Sequence, residues 1–146
     1  MLDLNFWNER SVLITGHTGF KGSWLALWLT ELGARVHGVA LAAESHPSLA
    51  EDVKIHSRLA SHNLIDIRDK PGLSAVVEKC EPQVVFHLAA QPLVRKSYED
   101  PLGTWATNVQ GSLNLLEALK KTTQRTSIVM VTTDKVYANR ECCLLY

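Results

Sequence analysis

The run SVLITGHTGFKGSW, residues 11–24, constrains this chain more than any other. A short β-branched segment passes directly into glycines at positions 16, 19 and 22, and a long apolar-rich stretch follows. Each glycine has a separate physical use in such a turn. Gly16 permits the tight exit from a strand, Gly19 lets backbone N–H groups approach a pyrophosphate, and Gly22 allows the next helix to pack closely on the sheet. A glycine triplet is informative when a strand precedes it and a helix follows, as here. The run therefore predicts a dinucleotide held at a helix N-terminus.

The rest of the chain supplies the elements that such a turn needs. Strands are expected at 11–15, 35–41, 63–67, 83–88 and 126–132, with helices at 22–32, 71–80 and from Pro101 to about Lys120. Residues 42–62 read as mostly loop with a short helix over 48–58. Short strands alternating with longer helical periods predict an α/β fold, and right-handed crossovers give a doubly wound parallel sheet of Rossmann type, order 3-2-1-4-5. Trp24, Trp28 and Leu32 fall four apart with Leu25 and Leu29 alongside, so both tryptophans are expected in the core. Trp105, Val109, Leu113 and Leu116 share one face of the later helix, a face for core packing or for a second subunit. Cys80 is expected as a core thiol.

Composition removes several function classes. Fifteen basic residues balance fifteen acidic ones, which gives no electrostatic case for a nucleic-acid or membrane-surface partner. The stretch 22–30 is far too short to cross a bilayer and the opening MLDLNFWNE is acidic, so a cytoplasmic location is expected. Three cysteines suit neither a disulfide framework nor a spaced zinc site, and the six histidines form no H-x-x-x-H pair, so no metal is expected. His17 lies inside the glycine turn, placed to touch a cofactor, whereas His87, ending a buried strand, reads as a hydrogen-bonded core residue.

The end of the second strand reads GVALAAE, where Glu44 is the only acidic candidate for a ribose and no Arg or Lys stands ready for a 2′-phosphate. NAD is thereby preferred over NADP. Asp66 and Ile67, at the end of the third strand, are placed to meet the adenine edge and ring, although IDIRD reads equally as a strand end capping the next helix.

Four segments together resemble a known family. TGHTGFKGSWL, including Lys21 and Trp24, resembles the cofactor loop of the extended short-chain dehydrogenases/reductases, in particular the NAD-dependent epimerase/dehydratase family of nucleotide-sugar enzymes. HLAAQ (87–91), DPLGTWATNVQGSLNLLEA (100–118) and VTTDKVY (131–137) follow in the family's order and spacing, and the resemblance spans residues 7–141. It implies an NAD site built from Gly16, Gly19, Phe20, Lys21 and Gly22, with Ala89, Ala90 and Gln91 along the cofactor. Thr107 would approach the nicotinamide ribose, and Asn108 would steady the neighbouring strand. The resemblance further implies a nucleotide-sugar substrate, CDP-glucose, and a 4,6-dehydration in which Thr133 bonds the sugar, Asp134 is the acid and Lys135 stands where relatives place a Glu base. Such an acid needs a raised pKa and such a base a lowered one, hence a dry cleft. Apart from the family, adjacent Asp and Lys read as a solvated turn.

The chain also departs from the family pattern. No Tyr-x-x-x-Lys pair occurs, since Tyr98 is followed four residues later by Leu102 and Tyr137 by Glu141. ECCLLY leaves the pattern after Glu141, and Cys142 and Cys143 are expected to have no ligand or redox role. Residues 1–146 are thus expected to be an incomplete NAD-binding Rossmann domain, cut before the last strands and the substrate domain. Another sugar-nucleotide epimerase or dehydratase, or an inactive NAD-binding remnant, stays open as an alternative.

Overall fold

The computed structural model describes residues 5–43 and 46–133. Five parallel strands form one sheet in the order β3-β2-β1-β4-β5. They are β1 (Ser11–Thr15), β2 (Arg35–Ala40), β3 (Ser61–Leu64), β4 (Val84–His87) and β5 (Ser127–Met130). The expected sheet order is the one observed. The helices are α1 (Phe20–Glu31), α2 (Leu49–Asp52), α3 (Lys70–Cys80), α4 (Val94–Glu99), α5 (Pro101–Trp105) and α6 (Ser112–Leu119), with a π-helical turn over Ala106–Gly111 joining the last two.

Period-2 alternation sends successive strand side chains to opposite faces. Leu13, Val39 and Val85 meet Leu73 and Val77 of α3 and Leu115 and Leu119 of α6. On the other face, Val12, Ile14, Val36 and Val84 meet Ala26 and Leu29 of α1, Ala50 of α2 and Ile55. β1 is consequently buried along its whole length, as a central parallel strand covered on both faces must be. Asp69 and Asp100 start α3 and α5 by accepting from the N–H groups of Gly72 at 3.2 Å and Gly103 at 2.8 Å, each just ahead of a proline in the first turn.

Both tryptophans of α1 depart from expectation. Trp24 is 52% exposed and Trp28 65%. The buried face is Gly22, Ser23, Ala26 and Leu29, whose mostly small side chains draw the helix down and leave the indoles outside. Exposure likewise marks Trp105, Leu113 and Leu116, so the apolar stripe of the later helix is a surface and not core. Cys80 packs at the edge of the α3–α6 core, where burial pushes its thiol up to about 12. β3 begins two residues earlier than expected and releases the chain before Asp66. Among the described residues no helix is long and apolar enough to cross a membrane.

Candidate functional site

β1 sits between β2 and β4, and chain progression runs outward from it on either side. The loops leaving the C-terminal ends of β1 and β4 therefore diverge, and a crevice opens between them. The glycine turn lies on one side of that crevice and residues 88–91 on the other.

The three glycines of the turn do different things. Gly16 has φ of +81°, and a Cβ there would lie 2.8 Å from the backbone nitrogen of Ala89, so the two loops touch at this point. At Gly22 a Cβ would strike the carbonyl of Gly16 and lie 2.9 Å from the Cα of His17. The close approach expected between helix and sheet is thus an approach between helix and the turn itself. Gly19 is different. Its backbone is extended (φ −73°, ψ 163°) and a Cβ would meet only the Gly16 carbonyl oxygen, at 3.4 Å. The fold does not require a bare residue there, and the space in front of it is open.

Gly19 caps α1, whose first turn contains no acidic side chain. The N–H groups at that end, from Phe20, Lys21 and Gly22, have no partners earlier in the helix and carry the positive end of its dipole. A pyrophosphate fits this cradle in charge and in space. Phe20 and Lys21 direct their side chains outward, and Phe20 joins Trp24 and Trp28 in an apolar groove on the outer surface of α1. What they offer the crevice is main chain.

Across the crevice, Asn108 in the π-helical turn holds both backbone groups of Gln91. Its Oδ1 accepts from the Gln91 N–H at 2.8 Å, and its Nδ2 donates to the Gln91 carbonyl at 3.1 Å. The Gln91 amide donates in turn to Thr104 Oγ1 at 2.9 Å. Thr107, half-buried, lies next to Asn108 in the same turn. A periodicity reading that continues one α-helix from Pro101 cannot show this widening, which sets the two side chains apart from the regular spiral.

Asp66 and Ile67 lie beyond β3 and not within its end as expected, and their side chains are constrained. Arg68 clasps the Asp66 carboxylate, Nη2 to Oδ2 at 2.6 Å, and these hydrogen bonds hold the carboxyl below its usual range. Ile67 is only 4% exposed and rests on Gly111, and its carbonyl accepts from Asn114 Nδ2 at 3.1 Å. His17 does not face the crevice. Its ring is fully buried over Gly38 of β2 and shares a hydrogen bond of 2.8 Å with Nδ1 of His62. Burial first, then the neighbouring His62, lowers its pKa to about 4. His87 is the hydrogen-bonded core residue expected. Thr133 is exposed three residues beyond β5, while Glu44, Asp134, Lys135, Cys142 and Cys143 lie outside the described residues.

Sheet order, glycine turn and crevice together define a Rossmann-type domain of the short-chain dehydrogenase/reductase kind. A profile of the family described as GDP-mannose 4,6 dehydratase matches residues 13–142, and the chain belongs to that family. It is 52% identical to CDP-glucose 4,6-dehydratase of Salmonella typhimurium over 141 residues, 97% of this chain and 39% of the relative. Identity to GDP-mannose 4,6-dehydratase of Vibrio cholerae is 32% over 117 residues, covering 77% of this chain and 32% of the relative. Among solved structures, UDP-glucose-4-epimerase from Stenotrophomonas maltophila, with bound NAD and formylated UDP-arabinopyranose, superposes with a TM-score of 0.74 at 28% identity, over 93% of this chain and 40% of the epimerase. The chain thus spans about a third to two-fifths of the length of these relatives.

Proposed function

We propose that residues 1–146 supply the NAD-binding part of a nucleotide-sugar 4,6-dehydratase whose substrate is CDP-glucose and whose product is CDP-4-keto-6-deoxyglucose. The observation that carries this reading is the 52% identity sustained over 141 residues to an enzyme named for that reaction, set against 32% to an enzyme named for GDP-mannose. The open cradle at Gly19 supports the cofactor. Gly16, Gly19 and the amides of Phe20, Lys21 and Gly22 would hold the pyrophosphate, Asp66 and Ile67 the adenine, and Ala89, Ala90, Gln91 and Thr107 the nicotinamide side. NAD, when bound, would accept one hydride from the sugar and return it. NAD is preferred to NADP because residues 41–43 are Leu, Ala and Ala, without a cation for a 2′-phosphate. A cytoplasmic lyase follows from this reading, and the exposed stripe of Trp105, Leu113 and Leu116 suits contact with a second copy.

The sugar chemistry falls to the residues after β5. A ketone at C4 acidifies C5, and elimination then breaks C5–H and C6–O while C5=C6 forms. Lys135 takes the C5 proton, Asp134 gives a proton to the departing C6 hydroxyl so that it leaves as water, and Thr133 bonds the sugar. Losing such a base slows a step by about 10² to 10⁴.

A fusion test separates the possible substrates. Residues 1–141 joined to the C-terminal part of the Salmonella enzyme are expected to release water from CDP-glucose, and the same residues joined to the C-terminal part of the Vibrio enzyme to leave GDP-mannose unchanged. Lys135→Ala in the active fusion should slow solvent exchange at C5 by about 10² or more. Dehydration by the second fusion alone would contradict the CDP-glucose reading.

A further inference from the structure

A hydrogen-bond chain, buried at Thr15 and His87 and exposed at its Asn108 end, runs from the crevice to the π-helical turn, and every proton in it can be placed. The Ser112 hydroxyl lies 2.7 Å from the Asn108 carbonyl, which can only accept, so the Ser112 proton is spent there. His87 Nε2, 2.9 Å from Ser112 Oγ, must then be the donor in that pair. Burial lowers the pKa of His87 and keeps the ring neutral, which leaves Nδ1 as an acceptor. The Thr15 hydroxyl, 2.6 Å from Nδ1, donates to it, and the Thr15 oxygen accepts from the Ala89 N–H at 3.2 Å. Ala89 is the residue against which Gly16 packs, and Asn108 is the residue that grips Gln91.

We propose that His87 is a positioning residue: as its Nε2–H tautomer it ties Thr15 and Ala89 at the crevice to Ser112 and the π-helical turn, and thereby sets Asn108, Gln91 and Thr107 for the nicotinamide half of the cofactor. The part concerning nicotinamide rests on the NAD reading above. The linkage itself does not. Ser112 back-bonding to the carbonyl four residues earlier distorts a helix, and here it coincides with the widened turn. His87 makes no contact with the open cradle at Gly19. Its side-chain hydrogen bonds go to Thr15 and Ser112.

Two measurements on the intact chain test this separately. ¹⁵N NMR of the ligand-free protein at neutral pH should show His87 as the Nε2–H tautomer, and Ser112→Ala should speed amide exchange at Gln91 by about tenfold. The Nδ1–H tautomer, or unchanged exchange, would overturn the linkage. Ser112→Ala should also weaken NADH by about tenfold while ADP-ribose, which lacks the nicotinamide, changes by less than about twofold. Equal losses for both ligands would overturn the positioning role. Failure of the unsubstituted chain to bind ADP-ribose would overturn the NAD reading and the nicotinamide role with it, while tautomer and exchange still decide the linkage.

Discussion

Valine at position 19 is expected to abolish NAD binding and leave the fold intact. The substituted side chain would occupy the space the pyrophosphate needs, removing several charge-assisted hydrogen bonds and reducing affinity by a factor on the order of 10² or more. The backbone at Gly19 already has angles that valine accepts, and its Cβ would meet nothing closer than 3.4 Å. Poorer capping costs about 1 kcal/mol, so Tm should fall by no more than roughly 4 °C. Gly22→Ala should behave in the opposite way, because its methyl would strike the Gly16 carbonyl, main chain that cannot swing aside. Overpacking of that kind costs about 3 kcal/mol or more. Calorimetry and thermal unfolding on the two variants check the contrast. A Gly19→Val protein that binds NAD normally would remove the phosphate cradle.

Acid should destabilise the chain well before its carboxylates titrate. His17 holds a pKa of about 4 against an ordinary value of 6.5, so the unfolded state binds more protons between those values. Its contribution is fully present above pH 6.5 and is lost as pH falls toward 4, about 3 kcal/mol in all. His37, His62 and His87 are lowered as well, each chiefly by burial, and act in the same direction. Urea midpoints should therefore drop between pH 7 and pH 4.5, and His17→Gln, which can still bond His62, should flatten part of that slope. A midpoint independent of pH over this range would contradict the buried neutral state of His17.

The glycine turn was legible in the sequence because strand, glycines and helix are contiguous, and contiguity is what a local pattern records. Sheet order was legible for a similar reason, since strand spacing and crossover handedness leave few topologies. The exposure of Trp24 and Trp28 was not, because a helix dense in apolar residues has no single apolar face. Small Gly22, Ser23 and Ala26 decided which side was buried. α4 went unread because it is short and buries none of its residues. The π-helical turn and the His17–His62 contact were hidden too. The first depends on hydrogen bonds that spacing does not encode, and the second joins residues 45 apart that meet only when β2 and β3 pair. Of the candidate site, the cradle could be read from residue types, while the fixed orientation of Gln91 by Asn108 needed the folded chain.

The central claim is that the crevice between β1 and β4 binds NAD. Amide chemical-shift mapping of the ¹⁵N-labelled chain during NAD titration tests it most directly. The account predicts saturable shifts grouped at Gly16, Gly19, Phe20, Lys21 and Gly22, at Asp66 and Ile67, and at Ala89, Ala90, Gln91 and Thr107. Shifts confined to the outer face of α1 around Trp28, or none at saturating NAD, would contradict it.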